Sequence, residues 1–595
     1  MNYSLKAFTI SFLAFLALGI TSCGGSGDSG SRKKTYQDQL VIHNLSDPEG
    51  LHPTNVSDAN ATEIKRYMFQ KLLTINFVTL ELEPWLAKKM PTMEVTGNNE
   101  GMLIHYELKD GLTWDDGKPI TPRDVEFSLM ALKDPKVDDA HLRPYFDFIS
   151  DFKYDPENPN AFTLVCNKTY MLWDHVTGND FWIIPEHLYD PNGYLKNMKL
   201  ADFADEKKAG KNDNAIKFAD DYNNVKYSRE KDFVNGSGPY KLADWQTDQR
   251  IILERKDNWS GDKYNGTSMM FDKGPKRIVW ETVNDFSTAI TALKAEKLDV
   301  ITSVPPADWV KLPESDKFKE NYRESTPPFT TYSYIGLHKR NPILADKRTR
   351  QALAHLIDAD NINKNLLYGL QTRIIGPIHP SDKMNYNTNI KPYDYNPEKA
   401  KQLLAEVGWK DTDGDGILDK VINGKKTPFK LAFKYNQGND IRKNVGLAFK
   451  ESARQAGIEL EVSPEEWSVY LEKLKKHEID MFYGAWVMDP RPDDPIQLFS
   501  TAAYNGGSNY VGFGDAETDK LIDQIRTELD PEKRKALYYR YQEIMHDEVP
   551  YIFLFTSNRR NAIHKRFTNL HEGARDPGYW GGGFQIDKGF ASGGA

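Results

Sequence analysis

A mixed α/β fold arranged in several lobes follows from three observations. Residues 103–108 place Leu103, Ile104, Tyr106 and Leu108 as a strand would, and a turn and a helix start come directly after. At 595 residues the chain is long enough for about four domains. It has only two cysteines, Cys23 and Cys166, so no disulfide framework braces it and a large apolar core must do so.

The turn and helix are legible residue by residue. Asp116-Gly117 marks the turn, because glycine tolerates positive φ and aspartate hydrogen-bonds its own backbone. Thr121 is placed to cap a helix, with Pro122 at its first position and Asp124 where a capping box takes an acid. Val125, Leu129 and Leu132 continue at helical spacing.

The chain opens with an export pattern. Lys6 supplies a positive charge, and residues 7–19 form an apolar run too short to span a bilayer comfortably. Ile20-Thr21-Ser22-Cys23 then matches a bacterial lipobox, which predicts lipidation of Cys23 and removal of residues 1–22 as a signal peptide. Residues 24–31, rich in Gly and Ser, suit a flexible tether. No later segment approaches 18 consecutive apolar residues, so the expectation is a protein anchored to a membrane rather than spanning it. The formal net charge of −9 argues against nucleic acid as a partner.

Several stretches of the chain carry one resemblance. Trp114, Asp116, Gly117, Pro119, Thr121, Asp124 and Val125 spell W-x-D-G-x-P-x-T-x-x-D-V. This resembles the signature of the family 5 extracellular solute-binding proteins, the peptide, nickel and oligosaccharide receptors that feed ABC importers. Further matches are Pro84-Trp85-Leu86-Ala87, residues 236–242 (G-S-G-P-Y-K-L), residues 288–300, residues 346–353 (D-K-R-T-R-Q-A-L) and Asn396-Pro397-Glu398. A phosphate-binding loop at 236–242 is the rival reading, and it fails because no Lys-Ser/Thr follows and no helix opens there.

The resemblance implies a two-lobed periplasmic-binding-protein-like receptor of the large class, with an extra inserted domain. Its expected boundaries are 23–37 for the lipidated cysteine and tether, 38–76 and 187–283 for lobe I, 77–186 for the inserted domain and 284–511 for lobe II. Residues 512–595 would return to lobe I and end in a tail. Residues 189–235, heavy in Lys, Asp and Asn, read as a surface elaboration within lobe I.

The same resemblance supplies ligand contacts. Relatives that bind peptides use the aspartate of a G-W-x-x-D run to pair with the ligand's α-amino group, and Trp486 and Asp489 match that run although Ala485 replaces its glycine. Trp467 falls where relatives place an aromatic pocket wall. A carboxylate answering an ammonium makes a charge-assisted hydrogen bond, and tryptophan faces give contact area with loose specificity. Other positions depart from the pattern: Leu474 and Tyr483 stand where some peptide receptors carry arginines, and Ser57 where they carry an acid.

Residues 411–419 (D-T-D-G-D-G-I-L-D) open like a calcium loop, yet Ile422 occupies the position of its bidentate glutamate. The expectation is therefore a turn-rich connector, with no metal and no cofactor. Function is expected to be capture of peptides between closing lobes, without catalysis, by a monomer that hands them to permease subunits. A nickel chelate or an oligosaccharide is the alternative cargo. From another class, a secreted hydrolase using paired carboxylates is the rival, but no G-x-S-x-G or H-E-x-x-H run marks one.

The anchor is directly testable. Cys23→Ser is expected to leave a folded, soluble protein that no longer partitions with membranes. Fractionation of cells expressing the variant checks this, and unchanged membrane association would refute the lipobox reading.

Overall fold

The computed structural model describes residues 38–587 apart from 57, 98–99, 140–141, 273 and 489. The leader, Cys23, the tether, Ser57 and Asp489 therefore lie outside the described residues. Among those described, no helix is long and apolar enough to cross a membrane.

Two large sheets organise the chain. The first has seven strands in the spatial order Tyr322–Ser325, Asn561–His564, Val300–Ile301, Gln39–Asn44, Arg277–Thr282, Arg250–Arg255 and Tyr240–Gln246. Gln39–Asn44 is its centre, parallel to both neighbours, and Leu40 and Ile42 are buried in the core. The second has six strands, ordered Gln371–Arg373, Tyr551–Asn558, Pro328–Leu337, Met481–Val487, Lys430–Asn436 and Glu459–Glu465. Helices Lys347–His355, Pro397–Val407 and Asp440–Gln455 contribute Leu353, Leu404 and Phe449 to its core. These two α/β bodies are the lobes of a periplasmic-binding-protein-like fold.

The inserted domain carries a third, antiparallel sheet of Thr92–Thr96, Gly101–Glu107, Ala161–Cys166 and Ile149–Tyr154. It leaves lobe I after Gln39–Asn44 and returns before Tyr240–Gln246. Cys166 is a free, buried residue of that sheet. The expected turn and cap are present. Gly117 has φ +82°, and the Asp124 carboxylate accepts from the Thr121 amide at 2.9 Å at the start of helix Pro122–Lys133. Gly238 admits no side chain, since a Cβ there would stand 2.6 Å from the Met68 carbonyl carbon, whose oxygen accepts from the Gly238 amide at 2.7 Å.

The lobes are joined elsewhere than at 283 and 512. Val300–Ile301 and Tyr322–Ser325 still belong to the first sheet, so the chain crosses at 326–327. Tyr551–Asn558 belongs to the second sheet and Asn561–His564 to the first, so it returns at 559–560. The two crossings lie side by side: the Arg559 amide donates to Pro327 O at 2.9 Å, between the pairs Ser325↔Asn561 and Pro328↔Asn558. Pro327 and Pro328 have no amide hydrogen to donate, which breaks the ladder between sheets.

Residues 189–235 also differ from expectation. They fold into short helices that bury Leu200, Phe203, Phe218, Tyr222 and Tyr227. Arg123 and Glu126 of helix Pro122–Lys133 tie this layer down: Arg123 donates to Leu195 O at 2.8 Å, and Glu126 accepts from the Leu200 amide at 3.1 Å. The layer packs on the inserted domain's helix because its aromatics, scattered in sequence, converge on one side. In the calcium-like loop, the Asp411, Asp413 and Asp419 carboxylates do converge. Lys426 lies 2.7 Å from Asp413 and 3.2 Å from Asp419, so the loop's own lysine answers their charge.

Candidate ligand-binding cleft

A cavity of about 490 Å³ lies beside the crossing strands. Leu80 and Tyr145 reach it from the lobe I side, while Thr330, Trp486, Asp493 and Arg534 reach it from lobe II elements. Its size falls in the range of roughly 300–1,000 Å³ usual for small-ligand sites.

The sequence-predicted residues separate here. Trp486, next to last in strand Met481–Val487, lines the cavity and stacks on Tyr510 with centroids 6.3 Å apart. Met488 and Pro490, which flank Asp489 in the chain, both line it as well. Trp467 is not among the lining residues: it opens helix Trp467–Lys475, is 50% exposed, and stacks on Tyr470 at 6.0 Å. Leu474 and Tyr483 are buried. Arg350, a possible carboxylate clamp by its place in the D-K-R-T-R-Q-A-L run, is wholly buried and engages Glu548 at 2.9 Å.

Sequence reasoning missed two charged residues. Asp493 follows the Pro490-Arg491-Pro492 interruption, and its Oδ2 is buried with no hydrogen-bond partner among the described residues. Its neighbour Asp494 is fully engaged, accepting from Tyr170 Oη at 2.5 Å and Arg526 Nε at 2.9 Å. Arg491 is likewise turned to Asp180, 2.7 Å away. The adjacent pair Asp493-Asp494 was the only sequence signal. Arg534, on helix Pro531–Glu548, gave none, because its cavity position depends on how that helix packs.

The electrostatics of Asp493 follow from this placement. Burial raises its pKa most, the negative charge of Asp494 adds to that, Arg491 opposes it, and Asp382 raises it further, to about 7. Asp382 lines the same cavity and takes its hydrogen bonds from its own loop, through Asn385 Nδ2 at 2.8 Å. Such a site stabilises an incoming cation, because a positive charge relieves the repulsion among carboxylates and lowers the energy of the ionised Asp493. His379, the imidazole that lines the cavity, has one ring nitrogen 2.7 Å from Ser381 Oγ and the other 2.8 Å from Thr556 Oγ1, and burial lowers its pKa.

Two α/β lobes joined by a pair of adjacent strands, with a cavity beside the join that carries several charged side chains, define a hinged solute-binding protein. Residues 81–509 match the model of the bacterial extracellular solute-binding proteins, family 5, and the chain belongs to that family. It is 28% identical over 575 residues to the oligopeptide-binding protein AppA of Bacillus subtilis, covering 93% of this chain and 94% of that one. The Bacillus subtilis AppA structure in complex with a nonapeptide superposes with a TM-score of 0.75 at 24% identity, covering 92% of this chain and 99% of that one. NikZ from Campylobacter jejuni, solved with Ni(L-His), gives a TM-score of 0.72 at 20% identity, covering 90% and 96%.

The raised pKa has a stability consequence with a definite sign. An unfolded aspartate titrates near 3.9, so between about pH 4 and about pH 7 the folded chain holds a proton that the unfolded chain has lost. Asp493 therefore lowers stability as pH rises through that window and adds no slope outside it. Unfolding in urea at pH 5 and pH 8 is expected to show a smaller loss between the two for Asp493→Asn than for the parent. Equal losses would show that Asp493 titrates normally.

Proposed function

We propose that this chain is the receptor of an ABC importer that captures peptides between its lobes, and that the cavity's free carboxylates bind the peptide ammonium. The observation that carries the reading is Asp493 Oδ2, buried and without a partner among the described residues, inside the cleft of a solute-binding family member. An unpaired buried carboxylate is unfavourable, and an ammonium that loses its water on entry supplies the missing charge. Peptide is favoured over a nickel chelate because the cavity's imidazole, His379, already has both nitrogens engaged, whereas the Asp493 carboxylate keeps an unpartnered oxygen.

Asp489 belongs to the same reading. It stands between two cavity-lining residues, and the family resemblance gives it the ammonium. Trp486 supplies apolar wall. Trp467, half-exposed on its helix, serves a ligand only if lobe closure carries it inward. The lobes close on the ligand as a hinge motion in which binding stabilises the closed state. The chain acts without turnover, as a monomer, tethered through lipid on Cys23 at a bacterial membrane and passing its load to permease subunits.

The peptide reading is tested by calorimetry on Asp489→Asn and Asp493→Asn with a free and an N-acetylated peptide. Removing one partner of a buried charge pair costs about 2–5 kcal/mol, so Asp489→Asn should weaken the free peptide roughly 30-fold or more. Asp493→Asn should weaken it in the same direction. N-acetylation should weaken the parent comparably, and combining it with either substitution should cost clearly less than the sum. Normal binding by both variants would remove the ammonium from this end of the cavity.

A further inference from the structure

The cavity also holds an arginine with a free edge. Arg534 is 8% exposed and lines the cavity from helix Pro531–Glu548. Its Nη1 donates to Glu528 O at 2.8 Å and Leu529 O at 3.4 Å, both carbonyls of the loop before its own helix. Its Nε is buried and without a partner, and none of its nitrogens lies in an ion pair with a carboxylate among the described residues. The Nε–Nη2 edge is the side of a guanidinium that grips a carboxylate through two parallel hydrogen bonds. A buried guanidinium with that edge empty is as incomplete as the carboxylate of Asp493, with the opposite sign.

The same helix reaches the segment that carries Asp493. Tyr538, one turn after Arg534, donates its hydroxyl to the Asp493 backbone oxygen. Asp493 feels Asp494, Arg491 and Asp382, but Arg534 is not among the charges that shift it. The cavity lining thus carries carboxylates at Asp493 and Asp382 and, at Arg534, a guanidinium with no carboxylate partner among the described residues.

Resting on the peptide reading above, we infer that Arg534 binds the peptide's terminal carboxylate, so that the cleft encloses short peptides by both charged ends. A cavity of about 490 Å³ suits a peptide of a few residues, whose carboxylate stays inside it. A longer peptide would have to carry its carboxylate out past Arg534 and leave the guanidinium unpaired.

The experiment uses the full chain and a set of Ala-X-Ala tripeptides, each as free acid and as C-terminal amide, with hexapeptides of matching composition. Binding is followed by calorimetry. The parent should bind at least one free tripeptide about 30-fold or more tighter than its amide. Arg534→Gln should weaken the free acid by a similar factor and leave the amide nearly unchanged, and Arg534→Lys should recover part of the loss as a point charge. The acid–amide comparison on the parent stands even if a variant fails to fold. Equal affinity for acid and amide, equal weakening of both by Arg534→Gln, or binding of hexapeptides alone would overturn the inference and leave the peptide reading intact. Binding of no peptide of either length would overturn both.

Discussion

Everything in this structure depends on two strands that pass together from one sheet to the other. Tyr322–Ser325 and Asn561–His564 pair in the first sheet, while Pro328–Leu337 and Tyr551–Asn558 pair in the second, and one backbone hydrogen bond from Arg559 to Pro327 spans the gap. The side chains at this gap are held tightly. The Arg559 guanidinium lies 3.5 Å above the Phe329 ring, donates to Ser303 Oγ at 3.0 Å and pairs with Asp576. Arg560 donates to Val304 O at 2.6 Å. A ribbon of two strands resists shear between the lobes through its hydrogen bonds, yet the prolines leave it few bonds to break on bending. Such a ribbon suits hinge bending over the cavity beside it.

The cavity's charges follow the same economy. Asp494 and Arg491 are consumed in contacts to the lobe I side, to Tyr170 and to Asp180, and Arg526 reaches across to Pro144 O at 3.0 Å. These ties hold the inserted domain against the loop that carries Asp493. What remains after them is a small remainder of unsatisfied polar atoms, Asp493 Oδ2 and Arg534 Nε. Buried groups of this kind lower stability unless something binds them. In a receptor that is the expected arrangement, because the free energy recovered on pairing them favours the closed, loaded state.

Local features were legible in the sequence because their physics is local. The Thr121–Asp124 capping box and the Gly117 turn each need particular residues within a few positions. The lobe crossings were not legible. Val300–Ile301 is two residues long and Tyr322–Ser325 carries Arg and Glu, so neither shows a strand pattern that assigns it to a sheet. Tyr551–Asn558 is buried along nearly its whole length, and a continuous apolar run reads the same in either lobe. Trp486, singled out through a motif, lines the cavity, whereas Trp467 from the same reading is not among its lining residues. Arg534 could not be found, since a surface-like helix of Lys, Arg and Glu hides which face is covered until its partners are known.

The proposed cargo of the cleft is a peptide. Mass spectrometry of small molecules released from protein purified under native conditions addresses it with no assumption about sequence or length. Peptides with free amino ends, intact and in at most equimolar amount, are the expected result. Release of a nickel chelate or an oligosaccharide in their place would contradict it.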